Sequence, residues 1–203
     1  MNLFPRLLTW LLALCCWSGV LAQGAPRIVE GQAFASRISL AGSELLLNGT
    51  GVRAAAWFKG YAAGLYLSRG STSLAQTLTV TGAKRLQLRM LQDVPAAEFV
   101  KALKKGVERN TASAEWPALQ PSMQRFGDQI AALGKVRKGD RVDLDLDPAR
   151  GLLFSVNGTL RGEPLPGDAL FNALLRAFLG DHPYDDNLKA GLLAGPGRSG
   201  AGD

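Results

Sequence analysis

Hydrophobic and polar positions follow two periods along this chain. From Arg85 to Leu91, Leu86, Leu88 and Met90 alternate with Arg85, Gln87 and Arg89, the period of two expected of a half-buried strand. Val142, Leu144 and Leu146 alternate in the same way with Asp143, Asp145 and Asp147, which predicts an apolar face and a wet carboxylate face. Ile38 to Leu67 also reads as strands. Glu44 to Leu47 ends at the turn dipeptide Asn48-Gly49, Gly51 opens a run through Val52 to Phe58, Lys59-Gly60 interrupts, and Tyr61 to Leu67 resumes. Pro148 to Gly151 turns into Leu152 to Val156, and Asn157-Gly158 is a hairpin signal.

Elsewhere the period lengthens to that of a helix. Asp93 and Pro95 start one with the stripe Phe99, Val100, Leu103 and Val107. A second carries Leu119, Met123, Phe126, Ile130 and Leu133 and stops at Gly134. A third spans Asp168 to Leu179 with Leu170, Leu174, Leu175 and Phe178 on one face, and a short last helix runs from about Tyr184 to Leu193. Strands, two helices, strands, two helices: this order predicts an α+β domain with a mostly antiparallel sheet.

The first residues change the picture of where the chain works. Arg6 is followed by an apolar run from Leu7 to Trp17 and by the small-residue site Val20-Leu21-Ala22, the order of a cleavable secretory signal. The expected organisation is a signal at 1–22, one domain at 23–193 and a disordered Gly-rich tail at 194–203. The apolar run is shorter than the ~20 residues of a spanning helix, so no transmembrane segment is expected in the mature chain. Cys15 and Cys16 lie inside the signal, where Leu14 is bulky for a lipoprotein site. Without Arg6 the mature chain has 22 basic residues (23 less one) against 17 acidic ones. The positive charge is scattered, with Lys101, Lys104 and Lys105 the one tight group, and lacks the aromatic interleaving of a single-strand nucleic-acid binder.

No phosphate loop, dinucleotide fingerprint or GxSxG elbow is present. His182, beside Asp181 and near Asp185 and Asp186, reads as a helix cap and solvated turn rather than a metal site. No metal or cofactor is expected. Arg53 stands out. Its neighbours Ala54, Ala55, Ala56, Trp57 and Phe58 are apolar, and a guanidinium among them needs a partner. Two readings stay open: a carboxylate clamp, and an arginine snorkelling at a strand end.

Leu47-Asn48-Gly49-Thr50-Gly51-Val52-Arg53, Gly64-Leu65-Tyr66-Leu67 and Leu179-Gly180-Asp181 resemble the chalcone isomerase-like family, and within it the exported bacterial branch. The resemblance runs from about Phe34 to Leu193 and implies an open-faced β-sandwich beneath a layer of helices. It also implies an arginine in the "GVR" context that stabilises enolate charge in the enzymes, a position that Arg53 matches. In ungapped register the enzymes' Tyr, Lys and Asn fall on Phe99, Met90 and Gly106, none of which has a polar side chain. No catalytic residue is therefore assigned, and chalcone ring closure is not expected. The non-catalytic branch resembles fatty-acid-binding proteins, in which the same arginine holds a carboxylate. That implies a ligand site of Arg53, Met90 and Phe99 with Tyr61 or Tyr66 as a second donor. Five residues apart, the two tyrosines belong to opposite strand faces. The expectation is a periplasmic or secreted, non-enzymatic protein that binds a small hydrophobic carboxylate such as a fatty acid. The alternatives are an isomerase or intramolecular lyase using Arg53 on an enone-type substrate, and a partner-binding scaffold.

Overall fold

The period-two segments become the middle of a seven-stranded antiparallel sheet, and the longer-period segments become helices along one of its faces. A computed structural model describes residues 24–55 and 58–197, without the side chains of Ala55 and Phe58. The expected signal at 1–22, the end of the expected tail at 198–203, and Ala56 and Trp57 lie outside the described residues. The chain opens with a hairpin of β1 (Arg27–Val29) and β2 (Gln32–Phe34), then β3 (Arg37–Leu40), β4 (Ser43–Ala55) and β5 (Phe58–Leu67). Next come α1 (Leu74–Thr79), β6 (Lys84–Met90), β7 (Val94–Pro95), α2 (Ala96–Arg109), α3 (Trp116–Ala131) and β8 (Lys135–Val136). The domain closes with β9 (Arg141–Asp147), β10 (Gly151–Val156), β11 (Thr159–Leu160), α4 (Ala169–Leu179) and α5 (Asp186–Leu192). The sheet order is β11-β10-β9-β6-β5-β4-β3, while β1–β2 and β7–β8 pair separately.

Helices cover one face of the sheet. Leu86, Leu88 and Met90 of β6 and Val142, Leu144 and Leu146 of β9 point into a core shared with Phe99, Leu103, Phe126 and Ile130. Phe126 meets Phe154 edge-on at a ring separation of 5.5 Å, a favoured aromatic geometry. α4 is the central helix, touching α1, α2, α3, α5, β9 and β10. It is therefore buried nearly all round, Phe171 and Ala173 as well as the stripe expected from the sequence. The other face of the sheet carries a smaller cluster of Phe34, Leu45, Ala62, Tyr66 and Ala83.

Three expectations need correction. Asn48-Gly49 is not a turn, because β4 runs unbroken through it: Leu47 pairs with Tyr66 and Gly49 with Leu65, so Asn48 is the extra residue of a β-bulge. Lys59-Gly60 does not break β5 either. Arg53 pairs with Tyr61 and Ala54 with Lys59, leaving Gly60 as the extra residue of a second bulge. The acidic face of β9 is not wet. Asp143 is 1% exposed and Asp145 5%, because Arg85, Gln87 and Arg141 stand around them as partners. At the C-terminal end, Gly195 is buried and Pro196 lies against Gly70, so packing extends past Leu193.

Phe126 fixes α3 to the sheet and is fully buried. Phe126→Ala is expected to lower unfolding free energy in chemical denaturation by roughly 3–5 kcal/mol; a change within error would show that this helix stripe is not core.

Candidate functional site

The bulge at Asn48 decides which way Arg53 points. Leu45 and Leu47 face the smaller cluster with Tyr66, and strict alternation would keep every odd position of β4 on that side. One extra residue reverses the parity. Arg53 is then paired with Tyr61, and Tyr61 with Met90, so the three form one rung facing the helices. The buried Asn48 carboxamide holds the bulge: Nδ2 donates to Ser71 O at 2.9 Å and Leu192 O at 2.8 Å, and Oδ1 accepts from Ser71 N at 2.7 Å.

The glycines beside it admit α5. A Cβ at Gly51 would sit 2.8 Å from Leu188 O, one at Gly49 would overlap Gly191 O, and one at Gly191 would overlap Thr50 O. α5 thus crosses β4 backbone to backbone. Asp185 caps the helix, its Oδ1 accepting from Leu188 N at 2.9 Å while Oδ2 accepts from Ala54 N at 3.2 Å. The same Oδ2 lies 3.8 Å from Arg53 Nη1, which also donates to Ala54 O at 2.7 Å. Nε and Nη2 of Arg53 have no partner among the described residues. The Arg53 side chain is 32% exposed and that of Asp185 12%. Arg53 is therefore a strand-end arginine at the rim of the core, with an internal carboxylate within reach.

Rings close the inner side of this rim. Tyr61 and Phe178 lie 6.3 Å apart, and Phe178 meets Tyr184 edge-on at 4.9 Å. The Tyr184 hydroxyl donates to the carbonyls at the end of a turn of α2, 3.2 Å from both Ala102 O and Leu103 O. It fits there because position 106 is glycine, since a Cβ on Gly106 would overlap the hydroxyl. Tyr184 was missed in the sequence, where it reads as the start of the last helix. Burial pushes the Tyr61 phenol far above its ordinary range; Tyr184 and Asp185 add to the rise and Arg53 opposes it. At neutral pH Tyr61 is a hydrogen-bond donor and not a base.

This arrangement sits in a recognised fold. A chalcone isomerase-like family model matches residues 27–194. The chain belongs to that family. No curated protein matches the sequence. Among solved structures, a fatty-acid-binding protein of Arabidopsis thaliana superposes with a TM-score of 0.62 at 15% identity, covering 83% of this chain and 95% of the other. Such a likeness shows the shared architecture. The open-faced sheet beneath helices expected from the sequence is the one observed.

Within the chalcone isomerase-like frame, the expected site residues separate into two groups. Arg53, Tyr61, Met90 and Phe99 all belong to the helix-facing side. Met90 and Phe99 are packed into the core, so they form a floor rather than the wall of an open cleft. Tyr66 does not join them. It faces the other side of the sheet, fully buried, beside Phe34 and Ala62, because no bulge separates it from Tyr61 and strand alternation holds. At the third family position, Gly106, the Tyr184 hydroxyl fills the space. A groove of about 390 Å³ lies between α2 and α3, lined by Ala97, Val100, Trp116 and Met123. It is on the opposite side of α2 from Phe99 and does not reach Arg53. Among the described residues no group of three or more His, Cys, Asp or Glu side chains is placed to hold a metal; His182 uses its backbone, its N–H donating to Asn110 Oδ1 and its O accepting from Asn110 Nδ2.

Of the three tyrosines, Tyr66 is buried and Tyr61 and Tyr184 are partly buried against the core; loss of solvent pushes Tyr66 up to about 12 and Tyr61 and Tyr184 higher still. In the unfolded chain they ionise near 10.0. The folded state therefore retains protons that the unfolded state has released, and stability must fall as pH rises past 10 toward 12. Absorbance titration of the native protein should show no tyrosinate at pH 10, whereas the denatured protein should be half ionised there. A native midpoint near 10 would show that the three rings are solvated.

Proposed function

We propose that this protein is an exported, non-catalytic binder of an amphipathic carboxylate such as a fatty acid, with Arg53 gripping the head group. The observation that carries this reading is the state of Arg53. Its guanidinium stands on the helix-facing side beside the Tyr61 phenol, held by one backbone carbonyl and one carboxylate at 3.8 Å. Nη1 makes both contacts, so the rest of the planar fork is available for a bidentate pair. The phenol supplies a second donor, while Met90, Phe99 and Phe178 offer an apolar floor. That a protein of the same architecture is named a fatty-acid-binding protein supports the reading. Entry of an acyl chain requires the packed rings to part, and α5 is the element whose cap carboxylate a ligand would replace at Arg53.

Charge-assisted hydrogen bonds are worth about 1.5–3 kcal/mol, so Arg53→Ala should weaken binding of a long-chain acid by roughly 10- to 150-fold. Arg53→Lys should recover part of the loss, because an ammonium lacks the planar fork. The matching alcohol should bind poorly and be insensitive to the substitution. Asp185→Asn keeps a capping side chain but removes the competing charge, and should tighten acid binding. Equal affinity of the natural protein for acid and alcohol would overturn the clamp, and thermal midpoints measured alongside separate binding from folding. Mass spectrometry of ligand co-purified with the protein tests the class directly.

A second reading, an isomerase of the family type, draws on the same pairing of a cation with a phenol donor, which suits a developing enolate. Against it, Phe99, Met90 and Gly106 bring no polar group to the site. Arg53-dependent cyclisation of a chalcone above the spontaneous rate would establish that reading instead. Export rests on the basic start, apolar run and Ala22 site. N-terminal sequencing of periplasmic or secreted material should begin at Gln23, and an intact Met1 there would refute cleavage.

A further inference from the structure

The sheet face away from the helices holds a second constellation that the Arg53 reading does not use. In register across β5, β6, β9 and β10 lie the rows Tyr66–Arg85–Asp145–Leu153 and Gly64–Gln87–Asp143–Ser155, then Ala62–Arg89–Arg141. The two carboxylates are engaged. Arg85 Nε and Nη2 each donate to Asp145 at 2.6 Å, and Gln87 Nε2 donates to Asp143 Oδ1 at 2.7 Å. Asp147, next along β9, is turned to the amides of Ala149 and Arg150.

The donors, by contrast, are in surplus. Arg85, Arg141 and Arg150 line one cavity with Asp143 and Asp145, three positive charges against two negative, and Arg89 stands beside Arg141 in register. Arg89 Nε is buried without a partner, and Arg141 Nε lies 3.0 Å from Asp143 Oδ2 without the alignment of a hydrogen bond. The Tyr66 hydroxyl, on a side chain with 0% exposure, is also unpartnered and within electrostatic reach of Arg85, Arg89 and Arg141. Buried donors of this kind normally have acceptors. Arg141 also lines a cavity of about 330 Å³, together with Arg85, Arg150 and Ser155 and with Leu160 exposed at its edge; Arg89 and Tyr66 lie outside its lining.

We propose that this cavity is a binding site for a phosphate group, held by Arg141, Arg150 and Ser155 over the Arg85–Asp145 pair. A phosphate group meets the positive surplus of this lining and presents acceptors in more directions than a carboxylate does. The site is independent of Arg53 and lies on the opposite face of the sheet.

Calorimetric titration of the purified protein with inorganic phosphate at fixed ionic strength should give saturable binding. Arg150 is exposed and Ser155 is half-buried, so Arg150→Ala and Ser155→Ala leave the folded ion pairs in place. The arginine substitution should weaken phosphate at least roughly tenfold, as expected for a charge-assisted contact, and leave the affinity for a long-chain acid unchanged. Flotation with phosphatidylglycerol and phosphatidylcholine vesicles distinguishes the source. Arg150-dependent binding of the former, competed by phosphate, assigns the group to a lipid head, and phosphate binding without vesicle binding assigns it to a free phosphate compound. Absence of binding in both arms, or binding that neither substitution alters, would overturn the site.

Discussion

One buried amide governs the arrangement of this domain. Asn48 is the extra residue of a bulge in the longest strand, and its carboxamide ties β4 to Ser71 and to the end of α5. Each broken bond of this kind leaves a buried partner unpaired at a cost of about 1–3 kcal/mol, so the side chain is held as firmly as the backbone it replaces. The geometric consequence is larger than the energetic one. Upstream of Asn48 the odd positions of β4 belong to the cluster around Phe34; downstream they face the helices. Gly49 and Gly51 thereby come under α5, and Arg53 comes to the rim of the main core. A sheet with strict alternation would place the same arginine on the other face, away from Tyr61 and Asp185.

Asp185 then links the bulge to the charge. Its two oxygens cap α5, accept the Ala54 amide and lie within ion-pair distance of Arg53. A partly buried carboxylate with two backbone donors loses little if the guanidinium turns away, whereas Arg53 keeps only a carbonyl of its own strand. At 3.8 Å the pair is a loose contact rather than a bidentate bridge. Two-partner burial is what distinguishes the Arg85–Asp145 pair on the far face, where Nε and Nη2 of Arg85 each sit 2.6 Å from the carboxylate.

The sequence was most readable where side-chain period and burial agree. Leu86, Leu88 and Met90, the stripes of α2 and α3, and the hairpin at Asn157-Gly158 all appear as their spacing predicts. It was least readable where tertiary contacts use a residue against its usual local meaning. Asn48-Gly49 carries turn chemistry, yet here the amide satisfies distant backbone groups and the glycine admits a helix. Asp143 and Asp145 carry the pattern of a wet face, yet Arg85 and Arg141 on neighbouring and same strands neutralise them in a buried lattice, and no pattern within β9 reveals that. Tyr184 pairs with Gly106 across 78 positions of chain (184 less 106), which leaves no local trace. The six residues of α1 make fewer than two turns, too few for an apolar stripe to repeat.

The same contrast bears on why the site tolerates Phe99, Met90 and Gly106 where the enzymes of the family are expected to be polar. Polar groups buried beneath the helices would lie beside the side chains of Phe178, Leu103 and Val107, which offer no hydrogen-bond partner. Apolar residues at those positions close the core, and Tyr184 completes it by lending its hydroxyl to α2 carbonyls rather than to a ligand. Packing thus occupies these three positions, while Arg53 stays at the rim of the core. Arg53 there has one close partner, Ala54 O, and one distant one, Asp185, and it stands above an apolar floor beside a phenol that stays protonated at neutral pH.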